Sequence, residues 1–521
     1  MSRISLLAAV LLAAPAATGL EPEAALPGRI VVEAGAPSGE ISPLIYGAAV
    51  KWVENGNRLL DPASGRLRPE LVEKLGPLRI PVWRFPGGIL ADHYHWRDGV
   101  GAPSSRPARP NPMDGSSHAN RFGTDEFIEL CRALRAEALV TLNFGSGTLD
   151  EALAWQRHFL SRGFPVRYWE VGNEIYLAEP RARASIPGND ERIFHRIDEY
   201  AREFPRWAAA LRGRDPRALV GAVLGTSNTS RENAGWSESL ARACPAGMDF
   251  VAAHDAFAPL IFTRYDYGDP ARRAAAYQAM FAQPLQFADD VRRIRREFQR
   301  CRPSVAVAVT EHFPLFGGGA PEQILAVLDQ SRTLAAALYT ASLFHAFARE
   351  GVLMANYNIA VSKWFGALIT DGDGGPVLTP TYHVYDLYRN HFGTRMVASR
   401  TEGPTFSTAA LGSVAARTDV PYLDALATRG ADGTFYLAVV NRHPARAVEA
   451  RLSLGVAVRS VEVVTLGGTD PSAVNGRSLT PTTQGGPADA IRPRRSTWAT
   501  AGDRRYAFPR SSLTILHWRH P

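Results

Sequence analysis

Lysine and cysteine are scarce in this 521-residue chain. Lysine occurs only at Lys51, Lys74 and Lys363, so nearly all of the basic charge is arginine, and the net charge of +7 is spread along the chain. No clustered basic stripe with interleaved aromatic residues is present, and such a stripe is what a nucleic-acid surface requires. No nucleic-acid partner is therefore expected.

The three cysteines permit at most one internal disulfide and leave an odd thiol. Cys244 and Cys301 are the candidate pair, because both lie near predicted helix ends in the same half of the chain. A fold of this length does not need a bridge, so free thiols remain the alternative.

A long apolar run is also missing. Residues 1–19 have the pattern of a secretory signal, with Arg3 as the basic start, an apolar stretch at residues 6–14 and small residues at 14–16 or 17–19 for cleavage. This stretch is too short to cross a bilayer, and no later run reaches about 18 apolar residues, so no membrane span is expected. We predict an exported protein, and the sequence does not decide between the periplasm and the medium.

Short apolar runs alternate with longer amphipathic stretches between residues 41 and 390. The eight runs cover residues 44–50, 78–85, 138–144, 166–171, 219–224, 250–254, 305–310 and 352–357. Helices are expected over residues 124–136, starting with a capping side chain and acids at 124–126, and over 149–161, 190–211, 284–299 and 321–349, the last with room for a break. Eight strand–helix repeats predict an α/β fold, a closed (β/α)8 TIM barrel.

The pattern changes after residue 394. Short alternating runs such as residues 434–440, 461–466 and 512–517 are separated by turn residues, which predicts an appended all-β sandwich domain over residues 394–521. The strand-like residues 29–34 are expected to join this sandwich. Residues 467–495, rich in Gly, Pro, Ser and Thr, predict a long loop.

Two glutamates follow apolar runs of the predicted barrel. Glu174 ends the sequence WEVGNE after the fourth run, and Glu311 ends the seventh. A carboxylate at the end of a buried strand is costly unless it is paired or used in chemistry. Because the active site of a TIM barrel lies at the carboxyl ends of its strands, we expect the two to face each other. We predict a retaining glycosidase with Glu174 as acid/base and Glu311 as nucleophile; two salt-bridged glutamates are the alternative.

Several motifs together resemble a known family. WEVGNE at residues 169–174, with Glu311 on strand seven, resembles the retaining glycoside hydrolases of clan A, and the closer resemblance is to family 51, the α-L-arabinofuranosidases. Residues 84–88 (RFPGG), 94–99 (YHWRDG), 120–127 (NRFGTDEF) and 143–147 (NFGSG) resemble segments of that family, and the resemblance is densest from residue 40 to 180.

The resemblance implies an exo-acting α-L-arabinofuranosidase that needs no cofactor and acts on a polysaccharide or oligosaccharide. It implies that Asn173 reaches the sugar hydroxyl next to the anomeric centre. Members of the family often form oligomers, so an oligomer is one possible state of this protein. A carbohydrate-binding protein without catalysis is the alternative class, and it predicts the loss of one carboxylate, whereas both are present.

The chain departs from the family where sugar contacts are expected. Lys51 stands where the family has an arabinose-binding Glu, and Ile89, Ala256 and Val361 stand where Asn, Tyr and Gln are expected. Because pocket hydrogen bonds determine sugar specificity, a change of glycone is expected, and another furanoside, a galactoside, a xyloside or a uronide are the alternatives. Lys51 with Arg84 is a candidate to pair with a sugar carboxylate; a salt bridge of Lys51 at the barrel mouth is the alternative.

The remaining candidates have weaker signals. Arg84 is predicted to orient the nucleophile, with a structural ion pair as the alternative, and His254 to hydrogen-bond near Glu311. Three aromatic residues are candidate sugar-stacking platforms, with core packing as the alternative for each: Trp96, Tyr176 and Trp364. Three residues of the strand-two loop invite a metal interpretation, but the family resemblance accounts for them better, so no metal is expected: Asp92, His93 and His95.

Overall fold

The computed structural model describes residues 24–112, 115–177, 193–225, 234–254, 256–261, 263–317, 323–363, 366–500 and 504–519. The predicted signal at residues 1–19 lies outside these ranges, and so does Trp364. Within them, no helix is long and apolar enough to cross a membrane.

Eight parallel strands form the closed barrel. They are β1 (Gly47–Ala49), β2 (Val82–Phe85), β3 (Glu137–Leu142), β4 (Tyr168–Val171), β5 (Leu219–Val223), β6 (Phe250–Ala253), β7 (Ala306–Phe313) and β8 (Met354–Tyr357). Each strand pairs in parallel with the next, and β8 pairs with β1 to close the ring. The prediction of a TIM barrel is confirmed, and every predicted run overlaps one strand. The first run was predicted too long, because Pro43–Tyr46 forms a short 3-10 turn before β1.

Helices surround the barrel. They are α1 (Pro69–Leu75), α2 (Thr124–Leu134), α3 (Leu149–Ser161), α4 (Ile197–Arg214), α5 (Ala234–Ala243), α6 (Pro270–Phe298), α7 (Ile324–Gln330), α8 (Leu334–Arg349) and α9 (Pro380–Asn390). Short strands of the connecting segments are Leu60–Asp61, Arg66–Leu67, Ala108–Pro110, Ser117–Ala119, Ala256–Phe257, Val361–Ser362, Ile369–Gly372, Gly375–Leu378, Thr405–Thr408 and Arg417–Pro421.

Four predicted helices differ from the structure or are refined by it. Helix α4 begins at Ile197, after the expected residue 190. Helix α6 begins at Pro270, well before the expected Pro284, because the Asp269 side chain caps it and accepts the Ala271 N–H. The predicted stretch 321–349 is broken into α7 and α8, where Thr333 caps α8. Helix α2 begins at the expected residue, but its capping side chain is the Glu126 carboxylate, which accepts the Gly123 N–H.

The barrel interior is filled in layers. Side chains of alternate residues along each strand point inward, so residues two apart on one strand form successive layers. The lower layer is apolar and includes Val82, Leu139, Tyr168, Phe250 and Met354. Gly221 on β5 is required there, since a Cβ atom would lie 2.0 Å from the ring of Phe250. This packed layer supports the polar layer above it.

The second domain is one nine-stranded sheet that folds over its own core. Its strands are the N-terminal strand (Leu26–Glu40), β9 (Arg395–Glu402), β10 (Leu423–Arg429), β11 (Phe435–Asn441), β12 (Val448–Ser453), β13 (Ser460–Gly467), β14 (Arg494–Ala499), β15 (Arg505–Phe508) and β16 (Ser512–Trp518). Their order is β14-β13-β16-β11-β10-β9, then the N-terminal strand, then β12-β15. Residues from both halves of this order, among them Ile30, Val448, Val463 and Leu516, share one core, so the sheet packs as two layers.

The N-terminal strand lies inside the second domain. It pairs antiparallel with β9 and parallel with β12, with Arg29 opposite Glu402 and Leu26 opposite Val448. The described residues therefore pass from the sandwich through the barrel and back to the sandwich.

Buried charges hold the two domains together. Asp424 on β10 pairs at 2.7 Å with Arg442, the residue that follows β11, and at 3.2 Å with His345 of α8. Burial alone would raise the pKa of Asp424, but Arg349, His345 and Arg442 hold it well below its ordinary value. Asp329 of α7 accepts the Leu479 N–H from the long loop after β13 at 2.9 Å. The sandwich is thus anchored on the helices near β7 and β8.

Cys244 and Cys301 form a disulfide, with Cα atoms 6.2 Å apart, and Cys131 is a buried free thiol. The bridge links the end of α5 to the end of α6. The candidate pairing from the sequence is therefore present.

Candidate active site

A buried polar layer lies directly above the apolar layer of the barrel. It follows from strand alternation, because Arg84, Thr141 and Glu170 are two residues beyond Val82, Leu139 and Tyr168 on their strands. All three polar side chains are fully buried. The carboxyl ends of the strands therefore carry hydrogen-bonding groups into a water-poor interior.

Arg84 links the residues of this layer. Its guanidinium donates to Glu170 at 2.9 Å, to Glu311 Oε1 at 2.6 Å and to Asn173 Oδ1 at 2.7 Å. Glu170 also accepts bonds from the hydroxyls of Thr141 and Thr310, both at 2.6 Å. Because each of these donors is matched by an acceptor, the layer is a rigid support for Glu311 and Asn173.

Glu311 on β7 is held as a carboxylate. Its Oε2 accepts the side-chain amide of Asn358 at 3.2 Å, in addition to the Arg84 contact at Oε1. Burial raises the pKa of Glu311, but the charges of Arg84, His254 and Lys51 outweigh it and lower the pKa below its ordinary value. An ionised, oriented carboxylate is what a nucleophile requires.

Glu174 lies three residues beyond β4 and is partly exposed. His254 Nδ1 is 2.8 Å from Glu174 Oε1, and its Nε2 is 2.9 Å from the Thr310 hydroxyl. His254 therefore has the expected hydrogen bond near Glu311, through Thr310, and in addition a contact with Glu174 that the sequence did not predict. Burial lowers the pKa of His254, but the hydrogen bond to Glu174 and the charges of Glu311 and Glu174 raise it overall.

Glu174, His254 and Glu311 converge on one small space. One carboxylate oxygen from each glutamate and one ring nitrogen of His254 all lie within 4.8 Å of one another. The two glutamates on strands four and seven therefore do face each other across the mouth of the barrel.

Asn173 is fixed beside this space. Its main-chain N–H donates to the buried Asp92 carboxylate at 3.1 Å and its Oδ1 accepts from Arg84, while its buried Nδ2 has no hydrogen-bond partner among the described residues. Burial raises the pKa of Asp92 to about 8, although the N–H groups of Asn173 and Gly145 oppose that shift. The Asn173 amide thus keeps a donor available for a ligand.

Comparisons with known proteins show what this chain is similar to. A family model described as the alpha-L-arabinofuranosidase 1 domain matches residues 74–161, and one described as the alpha-L-arabinofuranosidase C-terminal domain matches residues 318–512. A probable alpha-L-arabinofuranosidase C of Aspergillus terreus is 29% identical, over 91% of this chain and 92% of its own length. The protein is a family-51-like glycoside hydrolase.

Two further proteins are similar to this glycosidase. An intracellular exo-alpha-L-arabinofuranosidase of Bacteroides ovatus is 26% identical, over 79% of this chain and 78% of its own length. The solved GH51 arabinofuranosidase of Xanthomonas axonopodis pv. citri is 24% identical, with a TM-score of 0.75 over 95% of this chain and 100% of that chain. The last likeness carries the fold: a barrel with a β-sandwich.

The aromatic candidates are not brought to the carboxylates of the glycosidase by any contact in the described residues. Trp96 stacks on Trp155 of α3 with ring centroids 6.4 Å apart, and its indole N–H donates to the Glu151 carbonyl at 3.1 Å. Tyr176 is buried against Trp236 of α5, with centroids 5.9 Å apart. Both contacts are those of core packing, which was the alternative for each. Trp364 lies outside the described residues.

The three residues of the strand-two loop that were considered as metal ligands have other interaction partners. Asp92 accepts the Asn173 N–H, and His95 pairs with Glu151 at 3.1 Å. His93 also has an interaction partner.

In the described part of the chain, the grouping with metal-compatible spacing is Glu174, His254 and Glu311. Arg84 and Lys51 already place positive charge beside these carboxylates, which disfavours a divalent cation there.

Glu170 and Asn358 are site residues that the sequence did not single out. Glu170 lies within WEVGNE, and an acidic residue inside an otherwise apolar strand is the signal that identifies it. Asn358 follows β8 directly and carries no comparable signal. The family-position departures Ile89, Ala256 and Val361 are all buried apolar side chains.

Proposed function

We propose that this glycosidase is an exported, retaining, exo-acting enzyme of the α-L-arabinofuranosidase type, which removes terminal sugars from a polysaccharide or oligosaccharide. The carboxyl spacing supports the retaining mechanism most directly. Retaining glycosidases hold their two carboxyl groups about 5–5.5 Å apart, whereas inverting ones need about 6.5–9.5 Å to admit a water. Oxygens of Glu174 and Glu311 within 4.8 Å fit the first arrangement.

In the first step, Glu174 donates its proton to the glycosidic oxygen as the bond to the anomeric carbon breaks. Glu311 attacks that carbon and forms a glycosyl ester, and the leaving alcohol departs. In the second step, Glu174 takes a proton from water, and the water oxygen attacks the anomeric carbon. The C–O bond to Glu311 breaks, and both carboxyl groups return to their starting states.

The surrounding residues serve these two steps. Arg84 and Asn358 fix the two oxygens of Glu311, so that one lone pair is directed at the sugar. The unpaired Nδ2 of Asn173 is suited to donate to the hydroxyl beside the anomeric carbon. His254 holds the Glu174 carboxyl in place through its contact of 2.8 Å with Oε1.

The names of the similar proteins support α-L-arabinofuranosides as the first substrate class to examine. Export is proposed from the pattern of residues 1–19 alone. N-terminal sequencing of the protein recovered from periplasm and medium tests it, and a mature chain that still begins at Met1 contradicts it.

The mechanism is tested with a panel of 4-nitrophenyl glycosides and with Glu174→Ala and Glu311→Ala. We expect proton NMR of the first product to show retained anomeric configuration. Azide is expected to rescue Glu174→Ala through a glycosyl azide of retained configuration, because the vacated acid/base side admits the anion. Inverted configuration of the first product from the unaltered enzyme would refute the retaining mechanism.

A further inference from the structure

Lys51 follows β1 at the mouth of the barrel, and its main chain is firmly held. The Lys51 N–H donates to Asn57 Oδ1 at 2.7 Å, and the N–H of the preceding Val50 donates to the Arg84 carbonyl at 3.0 Å. Lys51 as a whole residue is partly exposed.

An unusual backbone turn makes the Asn57 contact. Five consecutive residues, 54–58, have positive φ angles between 51° and 69°. A left-handed turn built mainly from non-glycine residues is costly, and such strain is found where the surrounding structure imposes it. Gly56 at its centre is required, because a Cβ atom would lie 2.2 Å from the ring of Phe122. The turn places Asn57 against the root of Lys51.

The ammonium of Lys51 and the carboxylate of Glu311 lie beside the same glycine. At Gly88, where φ is +67°, a Cβ atom would be 2.8 Å from Lys51 Nζ and 3.0 Å from Glu311 Oε1. Both groups therefore border one glycine, and any larger residue at this position would displace them.

The other cationic groups of the site are already engaged. Arg84 donates to Glu170, Glu311 and Asn173, and His254 contacts Glu174 and Thr310. In the described ranges, the Lys51 ammonium has no such hydrogen bond or ion pair, and the salt bridge considered from the sequence is not formed there. Its three N–H donors remain for a ligand.

We propose that Lys51 determines the glycone of this enzyme and selects a sugar that carries a carboxylate. The inference rests on the proposed function, since it concerns the sugar bound by the same carboxyl pair. A carboxylate carries the charge opposite to that of the ammonium and accepts short hydrogen bonds from its N–H groups. The Lys51 pKa is lowered overall, first by burial and also by the charge of Arg84, although Glu311 and Glu174 raise it. A bound carboxylate adds a negative charge that stabilises the ammonium form.

The decisive experiment compares two glycosides that differ in one group. The first is 4-nitrophenyl α-L-arabinofuranoside, and the second is the same glycoside with its exocyclic CH2OH oxidised to a carboxylate. We expect kcat/KM of the unaltered enzyme to be at least about tenfold higher for the carboxylate form. Lys51→Gln is expected to abolish this preference, so that the ratio of the two kcat/KM values falls to about one. Added NaCl lowers the preference of the unaltered enzyme.

Lys74→Gln is the matched control, because Lys74 is a surface residue of helix α1. It is expected to leave the ratio of the two kcat/KM values unchanged. A preference of the unaltered enzyme for the neutral glycoside overturns the proposal. An equal fall for both glycosides in Lys51→Gln also overturns it, since Lys51 would then act on Glu311 in general.

Calorimetry separates this proposal from the proposed function. Binding of free D-glucuronate and D-galacturonate is compared with that of D-glucose and D-galactose, for the unaltered enzyme and for Lys51→Gln. Tighter binding of the acids that depends on Lys51 supports the proposal even if no glycoside is hydrolysed, and hydrolysis alone then tests the retaining mechanism. If neither hydrolysis nor binding favours a carboxylate, Lys51 does not select the glycone.

Discussion

Arg84→Met is the substitution that tests the buried polar layer most severely. Methionine fills a similar volume but has no donor, so Glu170 and Glu311 lose their common counter-charge. Glu170 keeps only its two threonine bonds, and Glu311 keeps only Asn358 among its described hydrogen-bond partners. Two carboxylates are then buried without a paired cation.

The expected loss of stability is about 3–5 kcal/mol, the range for removal of one partner from a buried ion pair. The loss depends on pH. Because Arg84 lowers the pKa of Glu311, the interaction stabilises the fold above the ordinary glutamate pKa and is lost as pH falls through the lowered value. The deficit of the variant is therefore largest near neutral pH and shrinks in acid.

Urea denaturation followed by tryptophan fluorescence measures this deficit at about pH 7 and about pH 4. The double variant Arg84→Met/Glu170→Gln is expected to recover part of it, because one of the two buried charges is then removed. Arg196→Met is the matched control: Arg196 pairs with Asp198 on the surface, where we expect no measurable change.

A deficit no larger than that of the surface control would refute this reasoning. So would a deficit of equal size at both pH values, because the loss would then come from packing and not from charge.

Four further predictions concern single features of the site and fold. Glu174→Ala should lower kcat/KM by about 10²–10⁴ for alkyl glycosides and far less for 4-nitrophenyl ones, since a good leaving group needs little proton donation; equal losses would contradict the acid role. In His254→Gln, the fall in Tm should be largest below about pH 6.5 and shrink at alkaline pH, because the raised pKa stabilises the fold only while the ring is charged. Asp92→Asn should lose less stability than the unaltered protein as pH rises from about 4 to about 8, because in that range the Asp92 carboxyl is ionised in the unfolded chain and still protonated in the folded one; parallel pH profiles in thermal denaturation would contradict this. Replacing Cys244 and Cys301 by serine should cost about 4 kcal/mol in urea denaturation, from the entropy of a loop with sequence separation 57.

The barrel was predictable because its signal is local. Runs of apolar residues and helical periodicity depend only on which side chains face the core, and these were visible for all eight strands. The start of α6 was less predictable: Pro284 suggested a helix beginning, whereas the Asp269 cap and Pro270 supplied the true one. Pro284 instead lies in the interior of this helix, where it removes one backbone hydrogen bond.

The site was predictable in its carboxylates but not in its contacts. Glu174 and Glu311 ended apolar runs and were recognisable for that reason. Which of them His254 bonds, and that Trp96 packs on α3, depend on side-chain directions that no run or spacing encodes. Glu170 was missed because it reads as one more residue of a strand until its inward direction is known.

From the sequence alone one obtains the TIM barrel with its β-sandwich, the glycosidase carboxyl pair and the scarcity of lysine that makes Lys51 conspicuous. Only the tertiary structure shows that Lys51, which follows β1, and Glu311, on β7, lie together beside Gly88. Only the tertiary structure shows that Arg84 donates hydrogen bonds to Glu170, Glu311 and Asn173. The reason is closure of the sheet. Parallel strands that are far apart in the chain end on the same rim of the barrel. The charges that balance each other there are therefore close in space although they are distant in sequence.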